Sequence, residues 1–386
     1  MSKNQSRRRF LTGSIGGICG LGLYSLLPPT KLARAQEKHE QNVPERFFVK
    51  EARFYNKLKE QKIECQLCPR GCSVADLERG YCGCRENRGG TYYTLVYSRP
   101  CALHVDPIEK KPLFHYLPGT NAFSLATAGC NIECKFCQNW NISQFRPEQV
   151  KAYYVPPQKV VELSNEYDCP TIAYTYSEPV VFYEYMYDIA ALAKQKKIGS
   201  VIISNGYIRS EPLKELCQQL TGVKIDLKAF TEKFYKDYCS GELKPVLDTL
   251  LLLKKIGIWF EIVVLLIPNL NDEPSEIEQM TKWIKAELGP DVPVHFTRFY
   301  PTYKITNIPP TSVKILERAR EIAKKNGLHY AYVGNVPGHP GEHTYCPKCG
   351  KKIIERTGFK ILQNHIKQGR CAFCQEKIPG VWTNPL

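Results

Sequence analysis

The chain has 386 residues, 43% of them hydrophobic, which is enough for a large core and far too long for a disulfide-held miniprotein. Its net charge of +15 is dispersed, with several basic residues at the extreme N-terminus, so charge alone gives only weak support for a nucleic-acid or anionic-surface partner. Cysteine is the outlier: there are 17, most of them in three tight clusters.

At the N-terminus, "SRRRFLTGS" (Ser6 to Ser14) sets paired arginines ahead of Phe10 and Leu11, and a glycine-rich apolar stretch follows as far as Pro28 and Pro29. The pattern resembles a twin-arginine export signal, with "ARAQ" offering a small-x-small cleavage site after Ala35. Residues 1–35 are therefore expected to be a signal segment handled by the twin-arginine translocation machinery. That places the protein in the periplasm or, if the segment stays on, tethered to the membrane; a cytoplasmic location is the alternative. Export of an already folded chain, metals included, reconciles this route with clustered thiols that would otherwise pair as disulfides in an oxidising compartment. Residues 36–60 read as a charged linker.

The next segment, residues 61–118, is rich in cysteine. "CQLCPRGCSVADLERGYCGC" places Cys65, Cys68, Cys72 and Cys82 in a C-x2-C-x3-C-x9-C pattern, with Cys84 to spare. Four soft ligands in a loop-rich span suit tetrahedral zinc or an iron–sulfur cluster, and composition does not separate the two.

From residue 119 to 340, short β-rich runs alternate with helical patterns: "AFSLATA", then a helix over 156–167; "TIAYTY", then 179–196; "GSVIIS", then 211–220. "GVKIDL" is followed by helices across 231–256, "IWFEIVVLLI" by one over 273–288, and "PVHFTRFY" by one over 311–326. Strict alternation implies parallel strands joined by helical crossovers. Six such units, with "HYAYV" as a candidate seventh strand, fall short of a closed eight-fold barrel, so the expected fold is α/β, a partial (β/α)6 TIM-like barrel. Strands buried on both faces explain continuous apolar runs such as "IVVLLI", and in this architecture chemistry sits at the C-terminal strand ends.

The first strand runs into "AGCNIECKFCQNWN", where Cys130, Cys134 and Cys137 lie on one tight loop. Three thiolates hold three irons of a cubane cluster and leave the fourth iron open to another ligand, whereas a purely structural cluster would close all four positions. The motif C-x3-C-x2-C, with Phe136 before its third cysteine, resembles that of the radical S-adenosylmethionine (radical SAM) superfamily. The resemblance implies a 4Fe–4S cluster and bound S-adenosyl-L-methionine, which an electron from an external donor cleaves to a 5′-deoxyadenosyl radical. It also implies that Glu178, in "YTYSEP", accepts the amino group of S-adenosylmethionine; a helix N-terminal charge is the plainer reading of that residue. Ser204 and Asn205 in "ISNGY" and Asp226 and Lys228 in "KIDLK" would be further contacts, although Asp226 and Lys228 also read as an ordinary ion pair. In the glycyl-radical-enzyme activases of the superfamily these strand ends hold a small cation; Ile203 stands here where those carry an acid.

Taken together, "CKFCQNWNISQ", "AYTYSEPVVFYEY", "DLKAFTEKFY", "IPNLND", "HFTRFYPTYK", "YVGNVPGH" and "CPKCG" are similar to the radical enzyme of the AmmeMemoRadiSam system (AmrS), over about residues 60–386. That resemblance implies a Memo-type and an AMMECR1-type protein as partners and leaves the substrate unassigned. Departures are Asn269, where the family has glycine, Cys84, where it has an apolar residue, and the export signal. Asn269 is expected to keep the left-handed turn, since asparagine tolerates it best after glycine. Arg298, Tyr300, Tyr303, Lys304 and Asn335 fall at strand ends and are candidates for substrate contact. The alternatives are a glycyl radical enzyme activase and, from another class, an iron–sulfur electron-transfer or scaffold protein.

Residues 341–386 close the chain. Cys346 and Cys349 with Cys371 and Cys374 form C-x2-C-x21-C-x2-C, a zinc-ribbon-like spacing with no open position. His339, His343 and His365 lie nearby and, with four thiolates available, are not expected to be ligands. The isolated Cys101, Cys169, Cys217 and Cys239 read as core residues.

Overall fold

The computed structural model of the protein describes residues 43–386. The chain enters through six short strands, β1 (Lys50–Glu51), β2 (Tyr55–Lys57), β3 (Ile63–Cys65), β4 (Ser73–Val74), β5 (Arg85–Arg88) and β6 (Thr91–Thr94), forming antiparallel sheets in the orders β1-β6-β5 and β2-β3-β4. Part of the expected 36–60 linker is thus structured. The reason lies in apolar anchors within a charged stretch: Ala52 is buried and bonded through its N–H to Tyr92 O, and Phe54 packs edge-on against Tyr183.

The centre is an eight-stranded sheet of β7 (Ala102–Pro107), β8 (Asn121–Ala126), β9 (Thr171–Tyr174), β10 (Gly199–Ser204), β11 (Gly222–Asp226), β12 (Phe260–Leu266), β13 (Val294–Arg298) and β14 (Ala331–Gly334), lying side by side in chain order. Strands β8 to β14 are parallel and β7 runs antiparallel beside β8. Strands β7 and β14 are its two edges, so the barrel stays open. "HYAYV" does become a strand, and the barrel sheet begins at Ala102 within the segment read as cysteine-rich. Helices Pro157–Glu166, Tyr183–Gln195, Ser210–Cys217, Leu243–Ile256, Pro274–Trp283 and Val313–Lys325 alternate with the strands. Proline opens two of them, Pro157 and Pro274, where its missing N–H costs no helical bond. Ile262, Val264 and Leu266 of β12 are completely buried, as a parallel sheet covered on both faces requires.

At the C-terminus β15 (Thr344–Tyr345), β16 (Lys352–Thr357) and β17 (Lys360–Asn364) make a three-stranded antiparallel sheet, and β18 (Ile366–Lys367) pairs with β19 (Arg370–Cys371). Arg356 on β16 is completely buried against the barrel, with Nη2 donating to Phe114 O at 2.9 Å and Nη1 to Thr344 Oγ1 at 2.7 Å.

Among the described residues no helix is long and apolar enough to cross a membrane, and the membrane-tethered location expected from the N-terminal segment is corrected accordingly. The arginine-led segment itself, residues 1–35, lies outside the described residues.

Candidate active site

Strand β8 delivers Thr127 and Ala128 to the open C-terminal mouth of the barrel, and the three-cysteine loop follows. Gly129 makes the turn at φ 99°, and a Cβ there would overlap Cys84 Sγ. The loop is pinned by main-chain bonds, Glu133 N to Cys239 O and Lys135 N to Tyr238 O, both 2.8 Å. Cys134 is buried; Cys130 and Cys137 are partly open. Phe136 is buried, its ring centroid 5.7 Å from that of Phe234.

The next two strand ends join this loop through one hydrogen-bonded chain. Glu178 is the residue before the turn Pro179–Phe182, and its carboxylate accepts from Val180 N (3.1 Å), Ser204 Oγ (2.7 Å) and Asn205 N (2.8 Å). Burial pushes its carboxyl up to about 7, against the pull of these three donors. Asn205 Nδ2 donates to Asn131 Oδ1 at 2.9 Å and reaches Cys130 Sγ at 3.8 Å. At the fourth strand end, Asp226 is clasped between the ammonium groups of Lys224 and Lys228, the latter at 2.9 Å. Burial alone would raise its carboxyl, but the two lysines hold it well below the ordinary range. Lys228 in turn faces the Cys134 sulfur. All six expected cofactor-side residues therefore gather at one end of the barrel. Five of them carry polar groups, and the sixth, Phe136, is buried beside Phe234.

Residues that motif reading missed stand among them. Cys239 is a core residue, as expected, and also brings its thiol into hydrogen-bonding contact with Cys134. Inside the barrel Lys111 is buried and donates to Asp106, whose other partners are Lys110 and the Tyr176 hydroxyl. None of these carries a local motif; only tertiary structure assembles them. Of the candidate substrate contacts, Tyr303 stacks on Trp140 at 5.3 Å, and Asn335 Nδ2 donates to Arg298 O at 3.3 Å. Asn269 adopts the expected left-handed angle, φ 63°.

The donor sets differ in spacing. Cys346, Cys349, Cys371 and Cys374 bring all four sulfurs within 4.8 Å of one another, on two turns secured by Cys346 N to Lys351 O and Cys371 N to Glu376 O. That convergence fits one tetrahedral ion, whose thiolates stand about 3.8 Å apart at metal–sulfur bonds of ~2.3 Å. Among the described residues no other group of three cysteine, histidine or acidic side chains converges so closely. The three-cysteine loop, wider and lacking a fourth thiol of its own, fits a cubane with one open iron.

Residues 124–284 match the family model described as the radical SAM superfamily. A protein of Methanocaldococcus jannaschii, described as uncharacterized, is 47% identical over 332 residues, which is 86% of this chain and 99% of its own. A second protein of that organism, provisionally named a glycyl-radical enzyme activating enzyme, is 30% identical over 233 residues, 58% of this chain and 83% of its own. The chain belongs to the radical SAM superfamily. Among solved structures, a radical SAM methyltransferase from Sphaerobacter thermophilus aligns at 12% identity and a TM-score of 0.46, over 76% of this chain and 81% of that one. In this superfamily member the residues that gather at the barrel mouth are those named above from the strand ends.

Proposed function

We propose that this radical SAM protein cleaves S-adenosylmethionine reductively and uses the resulting radical to take a hydrogen atom from a partner protein. The observation that carries the reading is the convergence of the Cys130–Cys137 loop with Glu178, Ser204, Asn205, Asp226 and Lys228 from three further strand ends. With a 4Fe–4S cluster on the three thiols and S-adenosylmethionine bound, the chemistry supplied is one-electron scission of the sulfonium to methionine and a 5′-deoxyadenosyl radical that abstracts hydrogen.

The chain's own residues prepare the place. Glu178 supplies a carboxylate whose three hydrogen-bond donors are neutral, a setting that a ligand ammonium would complete. Ser204 and Asn205 fix its orientation from the next strand, and Asn205 also holds Cys130. Lys228 offsets the negative charge of Cys134. Buried Cys134 and Phe136 keep water from the base of the loop. At the opposite end the four C-terminal thiols hold zinc in a closed structural site.

Of the two finer readings, glycyl-radical activation has a named relative behind it, the Methanocaldococcus jannaschii protein that is 30% identical. The AmrS reading, with Memo-type and AMMECR1-type partners, rests on the resemblance of motifs. Anaerobic incubation with S-adenosylmethionine and dithionite tests the shared claim, since 5′-deoxyadenosine and methionine should accumulate together. Adding a candidate partner then separates the finer readings: a persistent backbone glycyl radical on the partner marks an activase. A changed partner without a stored radical marks the other.

A further inference from the structure

The proposed reaction consumes electrons singly, and the segment that packs beside the three-cysteine loop bears on their source. We infer that Cys65, Cys68, Cys72 and Cys82 hold a second iron–sulfur cluster, a cubane with four thiolates, that passes single electrons to the cluster of the three-cysteine loop; the transfer half of this inference rests on the radical reading above.

Local structure draws the four cysteines together. Cys65 ends β3 and Cys72 precedes β4, and the two are bonded across the hairpin, Cys65 N to Cys72 O at 2.9 Å. Cys68 stands on the turn between them, closed by Gly71 N to Cys68 O at 3.2 Å. The turn that carries Cys82, closed by Gly83 N to Gly80 O at 2.9 Å, brings Gly80 against Cys72 Cβ. The sulfurs of Cys65 and Cys68 lie within electrostatic range of each other and of those of Cys72 and Cys82.

Three observations decide between metals and bare thiols. Among the described residues the C-terminal four sulfurs converge within 4.8 Å and no three of the N-terminal four do, so the N-terminal set is wider than the spacing of a single tetrahedral ion. A cubane seats each thiolate on a different iron and spreads them in that way. Arg85, 2% exposed, pairs with Glu184 through Nη1 (3.1 Å) and Nη2 (2.6 Å), while its Nε has no partner. It also faces the sulfurs of Cys65, Cys82 and Cys84, so the spare N–H is available as a donor for a cluster sulfur.

The position suits a relay. Arg209 Nε donates to Cys68 O at 3.1 Å and Asn131 Nδ2 to Tyr207 O at 2.7 Å, so the Cys68 turn and the residue after Cys130 are both tied to the loop that follows β10. Cys84 lies between the sets with its thiol donating to Ala128 O at 2.9 Å, and Cys82 and Cys130 line one cleft of about 840 Å³. In the transfer the N-terminal cluster goes from the 1+ to the 2+ state and the cluster of the three-cysteine loop from 2+ to 1+. A low-potential one-electron carrier of the ferredoxin class restores the first. No bond breaks and no proton moves.

The test uses the full chain, purified without oxygen and reconstituted with iron and sulfide. We expect about eight irons and one zinc per chain, and on reduction two electron paramagnetic resonance signals of which one moves when S-adenosylmethionine is added. Cys68→Ala combined with Cys72→Ala should remove about four irons and leave the signal that moves. Four irons with two zincs, or four irons with one zinc and free N-terminal thiols, would each overturn the inference. Should the double variant fail to fold, the native iron count decides alone, because four irons per chain would exclude the second cluster. Eight irons with neither signal responding to S-adenosylmethionine would keep the second cluster and sink the radical reading. Freeze-quench sampling after mixing with reduced ferredoxin should show the unresponsive signal first, and the reverse order would overturn the relay.

Discussion

The two ends of the barrel carry the same residue type in opposite states. At the N-terminal end Glu261, at the start of β12, is completely buried and accepts from Phe114 N (3.0 Å), His115 N (2.8 Å), Trp259 Nε1 (3.3 Å) and His295 Nε2 (2.8 Å). Burial would raise its carboxyl, but the His295 bond and the other donors hold it below the ordinary range. At the C-terminal end Glu178 has three neutral donors and the Asp226 carboxylate nearby, and it is pushed up to about 7. At the first end Glu261 is fully partnered, and the 114–116 loop and Arg356 of the C-terminal module plug the opening, although burial pushes the neighbouring Glu109 carboxyl up to about 7. On the proposed reading a cationic ligand completes the second end. Stability and chemistry are thus divided between the two ends, as the architecture leads one to expect.

The sharpest way to break this comparison is Cys134→Ala. It should abolish 5′-deoxyadenosine formation and remove about four irons per chain, while zinc bound by the C-terminal thiols stays, as metal analysis would show. Loss of both metals would mean the two ends are not independent. Next in size is Glu261→Ala, which leaves His295 and three further donors unpaired at the closed end. Chemical denaturation should register about 3–5 kcal/mol of lost stability, while S-adenosylmethionine affinity of the folded fraction is unchanged.

Glu178→Gln has a smaller effect with a signature in pH. Removing a charged partner should weaken S-adenosylmethionine binding by about 1.5–3 kcal/mol, read by calorimetry. In the native protein affinity should strengthen as pH rises through about 7 and Glu178 ionises, and the variant should lack this limb. Stability runs the other way. The folded carboxyl sits above its ordinary value of 4.5, so its contribution is intact below that pH and is lost as pH rises through about 7; denaturation of the variant should not show this slope. The smallest expected effect is Lys244→Ala, which removes an exposed pair with Asp248 and belongs to neither end. It should change stability by no more than about 0.5 kcal/mol in the same denaturation assay.

The chemistry-bearing end was the legible one. Strand–helix alternation places Cys130, Glu178, Ser204 and Asp226 on successive strand ends, because motif and periodicity are both local signals. The left-handed turn at Asn269 was legible for the same reason. The closed end was not, since Glu261, His115, His295 and Arg356 lie far apart in the chain and meet only through sheet register and the C-terminal module. Strand β7 was missed because a single antiparallel strand breaks the alternation that revealed the others. Cys239 is in the core, as expected, but its meeting with Cys134 had no local signal: 102 residues separate it from Cys137. The spacing of the N-terminal cysteines left zinc and iron–sulfur open, and only the distances between sulfurs bear on that choice.

The most direct measurement is a titration of the dithionite-reduced, anaerobic protein with S-adenosylmethionine, followed by electron paramagnetic resonance. An open iron at the Cys130–Cys137 loop predicts a reduced-cluster signal whose g-values shift as ligand is added and saturate at one equivalent per chain. If no reduced-cluster signal responded to the ligand, the open iron would be contradicted, and the barrel mouth would then be no site of radical chemistry.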